Sequence, residues 1–251
     1  MKIPAMKTLT FIALLALTPF SAHSAGGQGP ELEPVEVKLH DTRSLQSGAK
    51  IFVNYCLSCH SAEYMRYNRL SSDLDIPAEL VQSEMIFSDA KIGDLMTTTM
   101  PRDKAEEWFG VAPPDLTLSA RLRGADWLYN YFKSFYVDES TVSGWNNTVF
   151  PNVAMPHVLS QWQGRQRAVF GEGEDGKPVF EGFNLETEGS MTPEEFDHAM
   201  RDLTNYMVYM AEPAKLKRVK YGIWVRLFLL VFAGFAYLLK KEYWRDVDVS
   251  H

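Results

Sequence analysis

The chain has 251 residues, a formal charge of −7, 46% hydrophobic and 23% charged residues. That balance excludes a disordered polymer, and two cysteines are too few for a disulfide scaffold. An acidic chain with a mean hydropathy just below zero also speaks against binding nucleic acid and against a polytopic membrane protein, while leaving room for a single anchor.

The N-terminus carries Lys2 and Lys7, then an apolar run from Leu9 to Phe20, then Ser-Ala-His-Ser-Ala at 21–25. A positive start, a short apolar core and small residues at the end predict a secretory signal peptide over residues 1–25, cleaved after Ser24 or Ala25. The apolar run is too short for a retained spanning anchor. Losing two lysines and no acid takes the charge of the mature chain from −7 to −9.

Leu45, Ala49, Phe52 and Cys56 recur at helical spacing, with Ser44 as a candidate cap, so an amphipathic helix is predicted to lead into Cys56-Leu57-Ser58-Cys59-His60. Both cysteines of the chain lie in this Cys-x-x-Cys-His motif, whose spacing reads as c-type haem attachment. Two thiols about one helical turn apart can add to the two vinyl groups of one haem edge, and His60 then stands under the iron as a nitrogen ligand. A thioredoxin-like pair would not need His60 and would sit in a βαβ pattern. A structural zinc site would need a further ligand pair nearby. Export agrees with covalent attachment, and the single motif predicts one haem c.

Spacing leaves the sixth iron ligand open. Two Met-Pro pairs, Met100-Pro101 and Met155-Pro156, place a stiffening proline just after a sulfur. His157 is a rival that would give a bis-histidine site. Most methionines only fill cores.

Residues 171–198 hold nine acids against Lys177 alone, and Gly171, Gly173, Gly176, Gly182 and Gly189 mark the region as loop. This run reads as a solvated loop, or as a field that attracts a basic partner. Thr192-Pro193-Glu194-Glu195 is a helix start, with Thr192 as N-cap and Glu195 at the third position. Phe196, Met200, Leu203, Met207 and Met210 follow as a core-facing stripe.

Tyr221 to Leu239 is an apolar run of 19 residues. As a helix it measures about 28 Å, the thickness of the hydrocarbon core of a bilayer. Tyr221, Trp224, Tyr237, Tyr243 and Trp244 flank it as an interfacial belt, and Arg226 can snorkel. Lysines and arginines stand on both sides, so orientation follows from the cleaved signal instead. The predicted layout is a signal peptide at 1–25, an exported domain at 26–212, a basic juxtamembrane segment at 213–220, a transmembrane helix at 221–239 and a cytoplasmic tail at 240–251. No phosphate-binding loop, nucleophile elbow or internal repeat is found, and no catalytic residue is expected.

Several segments together resemble the cytochrome c1 family, the haem subunits of cytochrome bc1 complexes. They are the haem motif followed by Tyr64-Met65-Arg66-Tyr67, the stretch Ala112–Leu118, the stretch Arg121–Trp127, Asn152-Val153-Ala154-Met155-Pro156, and Ala211-Glu212-Pro213 ahead of the anchor. The resemblance implies a mainly α, cytochrome c-type haem domain with long irregular insertions and one C-terminal transmembrane helix. It implies Met155 as sixth ligand, Pro114 in the haem pocket, and Arg121, with Arg123 in reserve, paired with a haem propionate. One departure is His157, where many members continue with prolines. The implied role is one-electron transfer in a bacterial inner membrane with the haem domain in the periplasm. The implied partners are a cytochrome b subunit, a Rieske iron–sulfur protein, soluble cytochrome c and membrane lipid. The competing readings are a free-standing anchored cytochrome serving a terminal oxidase, and a haem enzyme or gas sensor with an open sixth site.

Overall fold

A computed structural model describes residues 32–173, 176 and 178–246. The signal peptide expected at 1–25 lies outside the described residues, as do Glu174, Asp175 and Lys177 of the acidic run. The domain is mainly helical, with long irregular segments between short elements.

Helix α1, Thr42–Ile51, starts at Asp41, whose carboxylate accepts from the Ser44 backbone N–H at 3.2 Å. Ser44 is therefore not the cap. It is buried and donates to Asp202 at 2.6 Å while accepting from Asn205 at 2.8 Å. The apolar stripe is as expected: Leu45, Ala49, Phe52 and Cys56 are all buried. The helix does not run on regularly into the cysteines. Residues Phe52–Cys56 widen into a π-helical turn, closed by Leu57 N–H on the Phe52 carbonyl at 3.0 Å.

Helices α2 (Asn68–Leu74), α3 (Ala78–Glu84), α4 (Arg102–Phe109), α5 (Ser119–Arg123), α6 (Ala125–Lys133) and α7 (Ser160–Gln163) follow. Among the described residues the strands form separate two-stranded antiparallel sheets: β1 (Ala62–Arg66) with β2 (Leu95–Met96), β3 (Phe135–Val137) with β4 (Trp145–Asn147), and β5 (Gly164–Glu172) with β6 (Pro178–Glu188).

The last pair corrects the expectation of a loop. Residues 164–188 are a long hairpin, paired from Gly164↔Glu188 to Glu172↔Pro178. Phe170 meets Phe180 edge-on at 6.1 Å, and Phe180 lies tilted against Phe183 at 4.7 Å. Its glycines serve strand geometry. A Cβ at Gly164, where φ is +91°, would come within 2.7 Å of the Gly189 nitrogen.

Helix α8, Pro193–Ala211, begins with the expected capping box. Thr192 accepts from Glu195 N–H at 3.2 Å, and the Glu195 carboxylate accepts from Thr192 N–H at 2.9 Å. Its stripe of Phe196, Met200, Leu203, Met207 and Met210 is buried, against α1 and α6. Gly48 permits the α1–α8 crossing, since a Cβ there would stand 2.7 Å from the Tyr206 Cβ.

After Glu212 and Pro213 the chain enters helix α9, Lys215–Tyr243, unbroken over 29 residues or about 43 Å. The apolar stretch runs Tyr221–Tyr243, four residues beyond the expected end, and none of it is buried. Its base is tied to the domain. Leu216 packs on the core, Lys217 lies 3.9 Å from Asp73, and Glu212 pairs with Arg218 and, at 3.9 Å, with Arg121.

Candidate haem site

The π-helical turn delivers Cys56 into the core and leaves Cys59 half-buried, both as free thiols. Burial, and then the neighbouring Cys59, push the Cys56 thiol up to about 12. The loop closes with Cys59 and His60 N–H groups on the Cys56 carbonyl, at 3.1 and 2.9 Å.

His60 is buried, and its Nδ1 lies 2.8 Å from the Pro114 carbonyl oxygen. Donation from Nδ1–H to that carbonyl selects the tautomer whose lone pair is on Nε2. Burial pushes the imidazole below its ordinary pKa, against the pull of the Pro114 bond and the Asp115 charge. The Pro114 segment is in turn stitched to the attachment loop. Leu116 N–H donates to the Ser61 carbonyl at 2.9 Å, and Asp115 accepts from Glu63 N–H at 2.7 Å and from Thr117 N–H at 2.9 Å.

Met155 arrives from a different segment. Buried Asn147 donates to the Tyr131 carbonyl at 2.8 Å and accepts from Val149 and Phe150 N–H at 2.9 and 3.0 Å. Asn146 accepts from Asn152 N–H at 2.8 Å, and Asn152 turns the chain at φ +61°. The Met155 sulfur packs on the core and accepts from the Tyr131 hydroxyl at 3.4 Å.

The other two candidate ligands have different surroundings. Met100 N–H is held by Thr98 Oγ1 at 3.1 Å, and that hydroxyl donates to the Ser58 carbonyl at 2.7 Å, so Met100 is stitched to the attachment loop itself. His157 is buried against Phe135 (4.8 Å, 3°) and edge-on to Trp145 (5.1 Å). Burial pushes it down to about 4, with Gln163 opposing.

The two arginines diverge. Arg121, 63% exposed, leans toward Glu212 at the base of α9. Arg123 lies 5.0 Å over Trp127 and 5.6 Å over Phe150, and Trp127 stacks on Tyr131 at 4.9 Å. Arg123 thus shares an aromatic group with Met155. Tyr131, Asn146 and Asn147 escaped the sequence reading. The Asn146-Asn147 doublet was the available signal, since asparagine side chains organise turns.

These residues fit a covalently held haem. Two thiols stand one turn apart, an imidazole is anchored by one nitrogen, and a thioether at the edge of the core accepts from the Tyr131 hydroxyl. Fold and site together define the class: a c-type cytochrome with a helical domain and a membrane-spanning C-terminal helix. A family model described as the Cytochrome C1 family matches residues 35–247. The chain belongs to that family. It is 48% identical to the cytochrome c1 of Allochromatium vinosum over 96% of this chain and all of that one. It is also 48% identical to a Nitrosomonas europaea protein named ammonia monooxygenase gamma subunit, with the same coverage of both chains. The cytochrome c1 of Rhodospirillum rubrum is 25% identical over 83% of each chain. The protein is the haem subunit of a cytochrome bc1 complex and carries one covalently bound haem c.

Proposed function

We propose that the domain relays single electrons from a Rieske iron–sulfur protein to a soluble cytochrome c, on the periplasmic face of a bacterial cytoplasmic membrane. Residues 1–25 act as the signal peptide, 26–212 as the exported domain, 213–220 as a basic juxtamembrane segment, 221–239 as the spanning core of α9 beside a cytochrome b subunit, and 240–251 as the cytoplasmic tail.

When bound, haem c supplies a one-electron ferric/ferrous couple. Cys56 and Cys59 would hold it covalently, and His60 and Met155 would supply the nitrogen and sulfur ligands of its iron. With both ligands supplied by the chain, little would need to reorganise on electron transfer. Pro114 fixes the imidazole through its carbonyl. The propionate partner is one of Arg121 and Arg123, and the aromatic shelf under Arg123 favours that residue. Tyr64, Leu118 and Leu122 are exposed beside the attachment loop and, with Asp115 and Arg121, line an open groove suited to a transient partner.

The observation that carries this reading is one chain joining an anchored Cys-x-x-Cys-His loop to a membrane helix, matched along its length by cytochrome c1. Purification of the native complex from membranes tests it. A dihaem b-type cytochrome and a Rieske protein should co-purify with the chain. Recovery with a terminal oxidase and without the b-type cytochrome would favour the free-standing reading.

A further inference from the structure

We propose that Tyr131 tunes the haem site by donating a hydrogen bond to the Met155 sulfur, which shifts the iron toward its ferrous state. The inference rests on the reading of Met155 as an axial ligand.

Tyr131 is a buried residue, and among the described residues its hydroxyl has one hydrogen-bond partner, the Met155 sulfur at 3.4 Å. The ring has little freedom to turn away. Trp127 stacks on it at 4.9 Å and 11°, while Phe132 and Phe135 meet it edge-on at 5.8 and 5.1 Å. Its carbonyl is held by the Asn147 side chain, which also holds the loop leading to Met155. Donor and acceptor are therefore positioned by the same residue.

A thioether sulfur has two lone pairs. One given to iron leaves the second free to accept an O–H. A proton donor on that second pair draws density from sulfur and weakens its donation to the metal. Ferric iron depends on donor density more than ferrous iron does, so the hydrogen bond favours the ferrous form. Tyr131 is thus a positioning residue that acts on the couple through Met155.

Tyr131→Phe in the full-length chain removes the hydroxyl and keeps the ring. At an ambient potential equal to the wild-type midpoint, the ferrous-to-ferric ratio should fall about threefold, as loss of one weak hydrogen bond implies. The near-infrared sulfur–iron band should remain and move in energy. Tyr131→Leu removes hydroxyl and packing together. If Tyr131→Phe matches wild type in ratio and band while Tyr131→Leu differs, the residue only packs and the proposal is overturned. Met155→Leu separates the underlying reading. Loss of the band there, with an unmoved Tyr131→Phe, overturns this inference alone. A band that survives Met155→Leu overturns the ligand assignment as well.

Discussion

The Nδ1 of His60 meets the carbonyl oxygen of Pro114 at 2.8 Å, and through that bond the orientation of the imidazole is set by a segment 54 residues away. The segment is itself held by Asp115, which accepts two backbone N–H groups, one from each side of the contact. Asp115→Ala should therefore loosen His60 without touching it. Two charge-assisted bonds at a half-buried site stabilise by about 2 kcal/mol in sum. Thermal unfolding of the holoprotein should begin several degrees lower, and the variant should bind carbon monoxide more readily in the ferrous state. An unchanged melting curve and ligand affinity would show that Asp115 does not support the imidazole.

Asn147 has an expected effect of similar size. It is wholly buried, and its amide bridges the end of α6 to the loop that carries Met155. Asn147→Ala leaves the Val149 and Phe150 N–H groups unpaired, while the Tyr131 carbonyl keeps the Ser134 N–H, at a cost of about 2 kcal/mol. Chemical denaturation should show that loss, and the sulfur–iron band should weaken as the Met155 loop opens. A stable variant with a full band would refute this account.

Acid stability should depend on Asp197. Burial pushes its carboxyl up, but hydrogen bonds from Lys133 and Tyr129 and the charges of Lys133 and Arg201 outweigh burial, and the net shift is below the ordinary value. A carboxyl depressed in the folded state contributes stability that is fully present above its unfolded value, near pH 3.9, and is lost as pH falls through the folded value. The acid limb of a stability–pH curve should therefore be steeper in wild type than in Asp197→Asn, with both curves parallel above about pH 5. Parallel curves through the acid limb would rule this contribution out.

Charge on the β5–β6 hairpin should act on encounter. Replacing Glu172, Glu174 and Asp175 by their amides should slow electron transfer to a basic cytochrome c several-fold at low salt. The difference should vanish as salt shortens the screening length toward 10 Å at 0.1 M. A rate that does not change at low salt would leave these acids without a part in encounter.

Deleting residues from Tyr221 onward keeps Lys217 and Arg218 on Asp73 and Glu212. The removed stretch buries nothing in the domain. The truncated protein should be released from membranes, hold its haem, and unfold within about 1 kcal/mol of the full chain, since exposed pairs contribute little. Loss of haem on truncation would give α9 a part in the fold.

What the sequence made legible was local. The haem motif is contiguous because the two thiols must reach one haem edge. The α8 capping box and its buried stripe lie within one helix, and the membrane helix is a plain apolar run. What it hid was pairing over distance. The hairpin at 164–188 was masked by glycines and acids, because its strand character comes from Phe170 meeting Phe180 across the ladder. The bond from Tyr131 to Met155 joins a helix to a loop 24 residues on, with no local trace of the contact. Ser44 looked like a cap because its partner Asp202 stands 158 residues away.

The burial of Cys56 also sets a chronology. Its thiol lies in the core that α1 and α8 close, at 8% exposure, with its ionisation suppressed up to about 12. A chain that folded first would shut that sulfur away from any incoming porphyrin. Joining the cofactor to the polypeptide is therefore expected to come before the final collapse, so that the finished domain condenses around a group it already carries.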